Sequence, residues 1–179
     1  MGQAAYYSTI SGEKWGKGGL PPNKGATVFL GVNTLNLDTK GRLAIPVKYR
    51  ERLMDNGASA IVVTINPQER CLWLYPEAEW QPIALKVSRL PPLKRQNRQL
   101  QRLLLGHASE LEMDGQGRVL LNNELREYAG MGKRVALVGQ GHKFELWSEE
   151  SWTDSREGWL QEANQPESDL SEELQNLAL

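Results

Sequence analysis

The sequence predicts an α+β protein made by tandem duplication of one small unit: a β-hairpin, a short helix and a second hairpin. Two matched blocks and one periodicity carry that reading. Leu35-Asn36-Leu37-Asp38-Thr39-Lys40-Gly41-Arg42-Leu43 recurs as Leu111-Glu112-Met113-Asp114-Gly115-Gln116-Gly117-Arg118-Val119, at an offset of 76 residues. Leu72-Trp73-Leu74-Tyr75-Pro76-Glu77 recurs as Phe144-Glu145-Leu146-Trp147-Ser148-Glu149 at an offset of 72, and Trp80 then falls on Trp152. Two blocks in the same order mark duplication. Around both first blocks, apolar and polar residues alternate with the period of a half-buried strand.

Residues 1–27 are rich in Gly, Ser and Lys and carry no period. They read as a flexible extension, a tag or a misassigned start, and are expected to be dispensable. The first unit is placed at 32–79. In it Leu35 and Leu37 lead into the turn Asp38-Thr39-Lys40-Gly41. The Asp carboxylate can accept backbone N–H groups two residues on, and Gly supplies the positive φ that closes a hairpin. Arg42-Leu43-Ala44-Ile45 returns as the second strand. Pro46 suits the start of a helix that ends at Asn56-Gly57. Ala60–Ile65 and Cys71–Tyr75 then read as paired strands across Asn66-Pro67.

The second unit, 108–151, repeats this grammar. Asp114 and Gly117 form the turn, Arg118 opens the returning strand, Asn122 or Asn123 caps a helix and Gly130 ends it. Strands at 134–138 and 143–147 follow. Linking helices occupy 80–107. The first contains Trp80, Ile83, Leu85, Val87 and Leu90, with Pro82 in its first turn. Pro91-Pro92 ends it, and a second runs from about Leu93 to Leu105. Residues 152–179 form an acidic C-terminal segment.

The net charge is −1, but the charge is unevenly spread. Residues 86–102 carry six bases and no acid, and residues 160–179 five acids and no base. Arg95, Arg98 and Arg102 step by three and four, so they share one helix face. The single cysteine, Cys71, excludes an internal disulfide and reads as a half-buried strand residue. With His107 and His142 as the only histidines, no zinc-type ligand set is spaced for metal, and no cofactor is expected. No apolar run is long enough for a membrane span. Neither a nucleophile elbow nor a phosphate-binding loop occurs, which argues against an enzyme.

The two Asp-x-x-Gly-Arg turns at this spacing resemble the MraZ family, a tandem form of the SpoVT-AbrB DNA-binding fold. Gly41-Arg42-Leu43-Ala44-Ile45-Pro46, Gln101-Arg102-Leu103-Leu104-Leu105-Gly106-His107-Ala108 and Phe144-Glu145-Leu146-Trp147 do so too. The match runs from Val28 to Leu179. It implies two AbrB-like hairpin/helix modules joined in one pseudo-two-fold, β-barrel-like unit. It also implies a homo-oligomeric ring that binds promoter direct repeats of its own division and cell-wall operon, in the cytoplasm and on the nucleoid. Lys40 and Arg42 are then the DNA contacts of the first tip, and Gln116 and Arg118 those of the second. Asp38, Gly41, Asp114 and Gly117 shape the turns. The face of Arg95, Arg98 and Arg102 is a secondary candidate. Leftover apolar surface, including Trp and Tyr side chains, is expected to hold the chains together. The alternative is an oligomeric scaffold that works through protein partners and binds DNA only incidentally.

Overall fold

A computed structural model of the chain describes residues 28–54 and 60–163. The extension at 1–27, the Asn56-Gly57 helix stop and the last sixteen residues of the acidic segment lie outside the described residues. In chain order the elements are β1 (Val32–Asn36), β2 (Arg42–Ala44), α1 (Val47–Leu53), β3 (Ala60–Ile65), β4 (Leu72–Pro76), α2 (Glu77–Ser88) and α3 (Arg95–Leu104). The second half continues with β5 (Ser109–Glu112), β6 (Arg118–Leu120), α4 (Asn123–Tyr128), β7 (Arg134–Gly139), β8 (Phe144–Ser148) and α5 (Glu149–Ala163).

Among the described residues all the pairing is antiparallel. Six strands form one sheet in the order β1-β7-β8-β4-β3-β5, and β2 and β6 form a separate two-stranded ribbon. Exchanging the two halves maps the six-strand order onto its own reverse, so the duplication is written in space as a pseudo-two-fold. Its axis passes between β4 and β8, where Trp73 faces Glu145, and between β2 and β6, where Leu43 faces Val119.

The first hairpin of each unit departs from expectation. The turn forms, with Gly41 N–H on the Asp38 carbonyl at 2.9 Å and Asp38 N–H on the Arg42 carbonyl at 3.0 Å. Only one bridge, Leu37 to Leu43, follows it. Then the strands part: β1 pairs along its length with β7, β5 pairs with β3, and β2 pairs with β6. The units have traded strands. A lone two-stranded hairpin is marginal in water. The exchange gives β1 and β5 places in a six-stranded sheet and closes Leu43 and Val119, both fully buried, under a shared ribbon.

Side-chain alternation sorts the sheet into two faces. Ile61, Val63, Ile65, Leu72, Leu74, Val135, Leu137, Phe144 and Leu146 meet Leu43, Ile45, Tyr49, Leu53, Val119, Leu121 and Leu125 from the ribbon, α1 and α4. On the opposite face Val62 and Tyr75 pack on Trp80 and Val87 of α2 and Leu104 of α3. Ala136, Val138 and Trp147 pack beside Trp152 of α5. Both faces of the central strands are therefore covered by the chain's own elements. The expectation that Trp and Tyr would be left as apolar surface does not hold for half of the eight described ones, while Trp73, Trp152 and Tyr128 are half-buried. Trp80, Trp147, Tyr49 and Tyr75 are buried, and Trp159 is the exposed tryptophan among the described residues.

The helices differ from expectation in small ways. Pro46 precedes α1, and the Asn122 side chain caps α4 by accepting Leu125 N–H at 2.8 Å. However, α2 starts at Glu77, straight after the strand, so Pro82 lies inside the helix and not in its first turn. Burial of Trp80 against Tyr75 outweighs the one backbone hydrogen bond that Pro82 gives up. Leu93 is 90% exposed and precedes α3 instead of anchoring it. Cys71 is fully buried, not half-buried, and burial pushes its thiol up to about 12. No described helix is long and apolar enough to cross a membrane.

Candidate nucleic-acid interface

The two turns are built alike, atom for atom. One carboxylate oxygen of Asp38 accepts Lys40 N–H and Arg42 N–H, both at 2.9 Å, and the other meets Arg42 Nε at 2.7 Å. Asp114 does the same with Gln116 N–H at 3.0 Å, Arg118 N–H at 2.9 Å and Arg118 Nε at 2.8 Å. It also takes a terminal Arg118 nitrogen at 2.7 Å. The Arg42 backbone N–H, then its guanidinium, hold Asp38 below the usual carboxylate range. The Arg118 guanidinium and backbone N–H bring Asp114 to about 2. A depressed carboxylate supports its turn above the ordinary carboxylate pKa. For Asp114 that support declines as pH drops below the ordinary carboxylate value of 3.8 and is gone once pH falls through about 2.

The ribbon sets where the arginines go. Leu43 and Val119 point inward, so Arg42, Ala44, Arg118 and Leu120 occupy the outer face. Arg42 pairs with Leu120 and Arg118 with Ala44, which makes the two arginines diagonal neighbours on one surface. The expectation of two separate tips, each on its own hairpin, becomes a single two-stranded ribbon with a turn at either end. Lys40 and Gln116 are exposed in those turns.

Gly41 and Gly117 have φ of 81° and 76°, and the space over each is filled from the other half of the chain. A Cβ on Gly117 would lie 2.1 Å from Cζ of Arg50 (α1), and one on Gly41 would lie 2.8 Å from Cζ and Nε of Arg126 (α4). Ile45 N–H donates to the Gly117 carbonyl at 2.9 Å, and Leu121 N–H to the Gly41 carbonyl at 3.1 Å. Each turn is thus roofed by the opposite repeat. Arg50 and Arg126 were not singled out from the sequence. They stand at the same offset of 76 as Arg42 and Arg118, so extending the repeat alignment into the helices reveals them.

This packing predicts a specific asymmetry between two glycines of one turn. Gly117→Ala is expected to cost about 2–3 kcal/mol, from the positive φ and from displacement of Arg50 off the Ile45 carbonyl, which it meets at 2.8 Å. At Gly115 nothing lies within 4 Å of an added Cβ, and alanine there should change stability by under about 0.5 kcal/mol. Urea unfolding of the two variants side by side is the check, and equal midpoints would contradict the packing.

The structure does not bring the basic helix face to the ribbon. Helix α3 packs on the opposite side of the sheet. Arg98 donates to the Pro92 and Leu93 carbonyls, while Arg95 and Arg102 are exposed. His107 bridges the Leu103 carbonyl and Glu124, and His142 stacks near Tyr75. Glu69, Cys71 and Glu145 stand close enough together to surround an ion. Their groups are engaged within the chain: Glu145 holds Lys143 at 3.2 Å and Trp147 Nε1 at 3.1 Å, and Asn66 donates to Glu69 and Cys71.

Comparison with known proteins gives a concordant result. The family model described as MraZ protein matches residues 28–103 and again 104–173. A Transcriptional regulator MraZ from Halorhodospira halophila is 51% identical over 152 residues, covering 85% of this chain and 100% of the relative. Proteins of the same name from Coxiella burnetii and Escherichia coli are 47% and 48% identical over the same length, with the same coverage. With both halves matched by one family and relatives near half identity aligned along their whole length, the chain belongs to the MraZ family.

Proposed function

We propose that this chain is a sequence-specific DNA-binding regulator of transcription that lays the β2–β6 ribbon into the major groove. One observation carries the reading: the arginines of both repeats share the outer face of a two-stranded ribbon, each steadied by its own turn aspartate. A β-ribbon fits the major groove, and an arginine with free terminal nitrogens can pair with guanine O6 and N7 or with a phosphate. The ion pair on Arg42 runs through Nε, which leaves the terminal nitrogens for such a contact. The relatives' name supports the transcriptional role.

In this reading Lys40, Arg42, Gln116 and Arg118 make the DNA contacts, and Asp38, Gly41, Asp114 and Gly117 hold them in place. Several chains assemble in a homo-oligomeric ring, so that their ribbons engage successive direct repeats in the promoter of the chain's own operon. Linked ribbons raise the effective concentration of each next contact. The protein is then cytoplasmic and associated with the nucleoid. The test is footprinting of the full chain on its own upstream region over a range of salt. Protection of regularly spaced short repeats that fades steeply with salt is the expected result. Uniform or absent protection would overturn it and favour a scaffold that acts through protein partners.

A further inference from the structure

We infer that Arg126, carried by the second repeat, is a DNA-backbone contact of the first turn, whereas its repeat equivalent Arg50 is a strut that shapes the second. The inference rests on the proposed DNA-binding role of the ribbon and assigns it an additional residue.

The two arginines occupy equivalent places but are bound differently. Arg50 Nε donates to the Ile45 carbonyl at 2.8 Å, so its head is tied to the backbone of its own repeat. Arg126 Nε is buried against Gly41 and has no hydrogen-bond partner among the described residues. One terminal nitrogen donates to Asn123 at 3.1 Å, an exposed pairing on the first turn of α4. A buried, unpaired N–H of a charged group is costly, and the cost is relieved when the group moves to a stronger acceptor. Arg126 is therefore held over the turn without being satisfied there.

Its surroundings fit an anion. Arg126 lines a cleft of about 520 Å³ together with Leu37, Asp38, Thr39, Met131 and Lys133. The Asp38 charge is already engaged by Arg42, which leaves the two cations of the cleft in excess. Two of the cleft's lining residues, Asp38 and Thr39, belong to the same turn as Lys40 and Arg42, whose backbone N–H groups Asp38 accepts. A phosphate on the strand flanking the bases read by Arg42 can enter the cleft, and Arg126 then makes a charge-assisted pair. The first turn thus gathers Lys40, Arg42 and Arg126, while the second has Gln116, Arg118 and an Arg50 already committed to Ile45. The inequality between the turns is larger than the Lys40-to-Gln116 difference alone.

The experiment is fluorescence anisotropy of the full chain on a labelled duplex from its own upstream region, across a salt series. Inorganic phosphate serves as a competitor, and the variants are Arg126→Gln, Arg126→Lys, Arg50→Gln and Arg42→Ala. Arg126→Gln should weaken binding about tenfold and lower the salt slope by about one per engaged turn. Arg126→Lys should restore most of the slope. Arg50→Gln should keep the slope and lower the thermal midpoint. Millimolar phosphate should compete less well against Arg126→Gln if the cleft takes free phosphate, and equally well if it takes only phosphate in a nucleic acid backbone. Either result is compatible with the contact. A wild-type slope for Arg126→Gln, or a reduced slope for Arg50→Gln equal to it, overturns the assignment. If Arg42→Ala also binds like wild type, the ribbon reading itself fails; if Arg42→Ala is weak and Arg126→Gln is normal, only this inference does.

Discussion

Arg42→Ala is expected to weaken DNA binding by at least about tenfold per engaged ribbon, with the thermal midpoint and the mass read by light scattering nearly unchanged. Two effects add. The guanidinium is lost from the outer face of the ribbon, and Asp38 loses its ion pair. Its carboxylate, held ionised by the Lys40 and Arg42 backbone N–H groups, then faces the phosphates unopposed. The double variant Asp38→Asn/Arg42→Ala should therefore recover part of the loss, because it removes the stranded charge while the amide oxygen can still accept the turn N–H groups. Arg118→Ala should cost less, because Gln116 and the tied Arg50 already leave that turn with fewer mobile cations. Anisotropy titrations in parallel with light scattering separate binding from assembly. Binding of Arg42→Ala at the wild-type level would remove the ribbon as the reading surface.

The largest stability effect is expected at Phe144. Its ring is fully buried in β8, with ring centroids 4.3 Å from Phe29 and 4.8 Å from Tyr49. Tyr49 in turn donates to the Leu30 carbonyl at 2.7 Å and accepts from Asn33 at 3.1 Å. Phe144 is thus the contact at which the segment before β1, helix α1 and the centre of the sheet converge. Truncation to alanine opens a cavity bounded by three elements that cannot all collapse, and should cost about 3–5 kcal/mol. Leu93→Ala, at a position 90% exposed, should stay within about 0.5 kcal/mol. Urea midpoints at constant slope are the measure. A Phe144→Ala loss below about 1 kcal/mol would mean that the three elements repack around the gap.

What the residues disclose before folding is local. Asp38 and Gly41 specify a turn whose hydrogen bonds close over four residues, so the Asx chemistry and the place of Arg42 beside it were legible. The strand exchange was not. Leu35–Leu37 and Leu43–Ile45 have the alternation of paired strands, but alternation names no partner. Because Leu111–Met113 and Val119–Leu121 carry the same pattern, self-pairing and cross-pairing satisfy it equally well. Burial of Leu43 against Val119 decides between them, and that contact joins residues far apart in the chain. Arg50 and Arg126 were missed for the same reason: each acts on a glycine of the opposite repeat. The start of α2 at Glu77 was hidden because Pro82 is a strong local signal that packing of Trp80 overrides. The MraZ family was legible throughout, since its motifs are runs of adjacent residues.

The traded strands also fix an order of events during synthesis. β1 reaches its partner β7 only when residue 138 has been made, more than a hundred positions after Val32. At about 10 residues per second the ribosome takes on the order of ten seconds to bridge that gap. Through this interval β1 has no ladder, and β3 waits for β5. The strands that complete the edges of the first repeat lie in the second, and another copy of the chain carries the same strands. Chains growing side by side on one message are then offered two partners for each strand, their own second repeat or a neighbour's. The short tie of α2 and α3 favours the former by keeping it near.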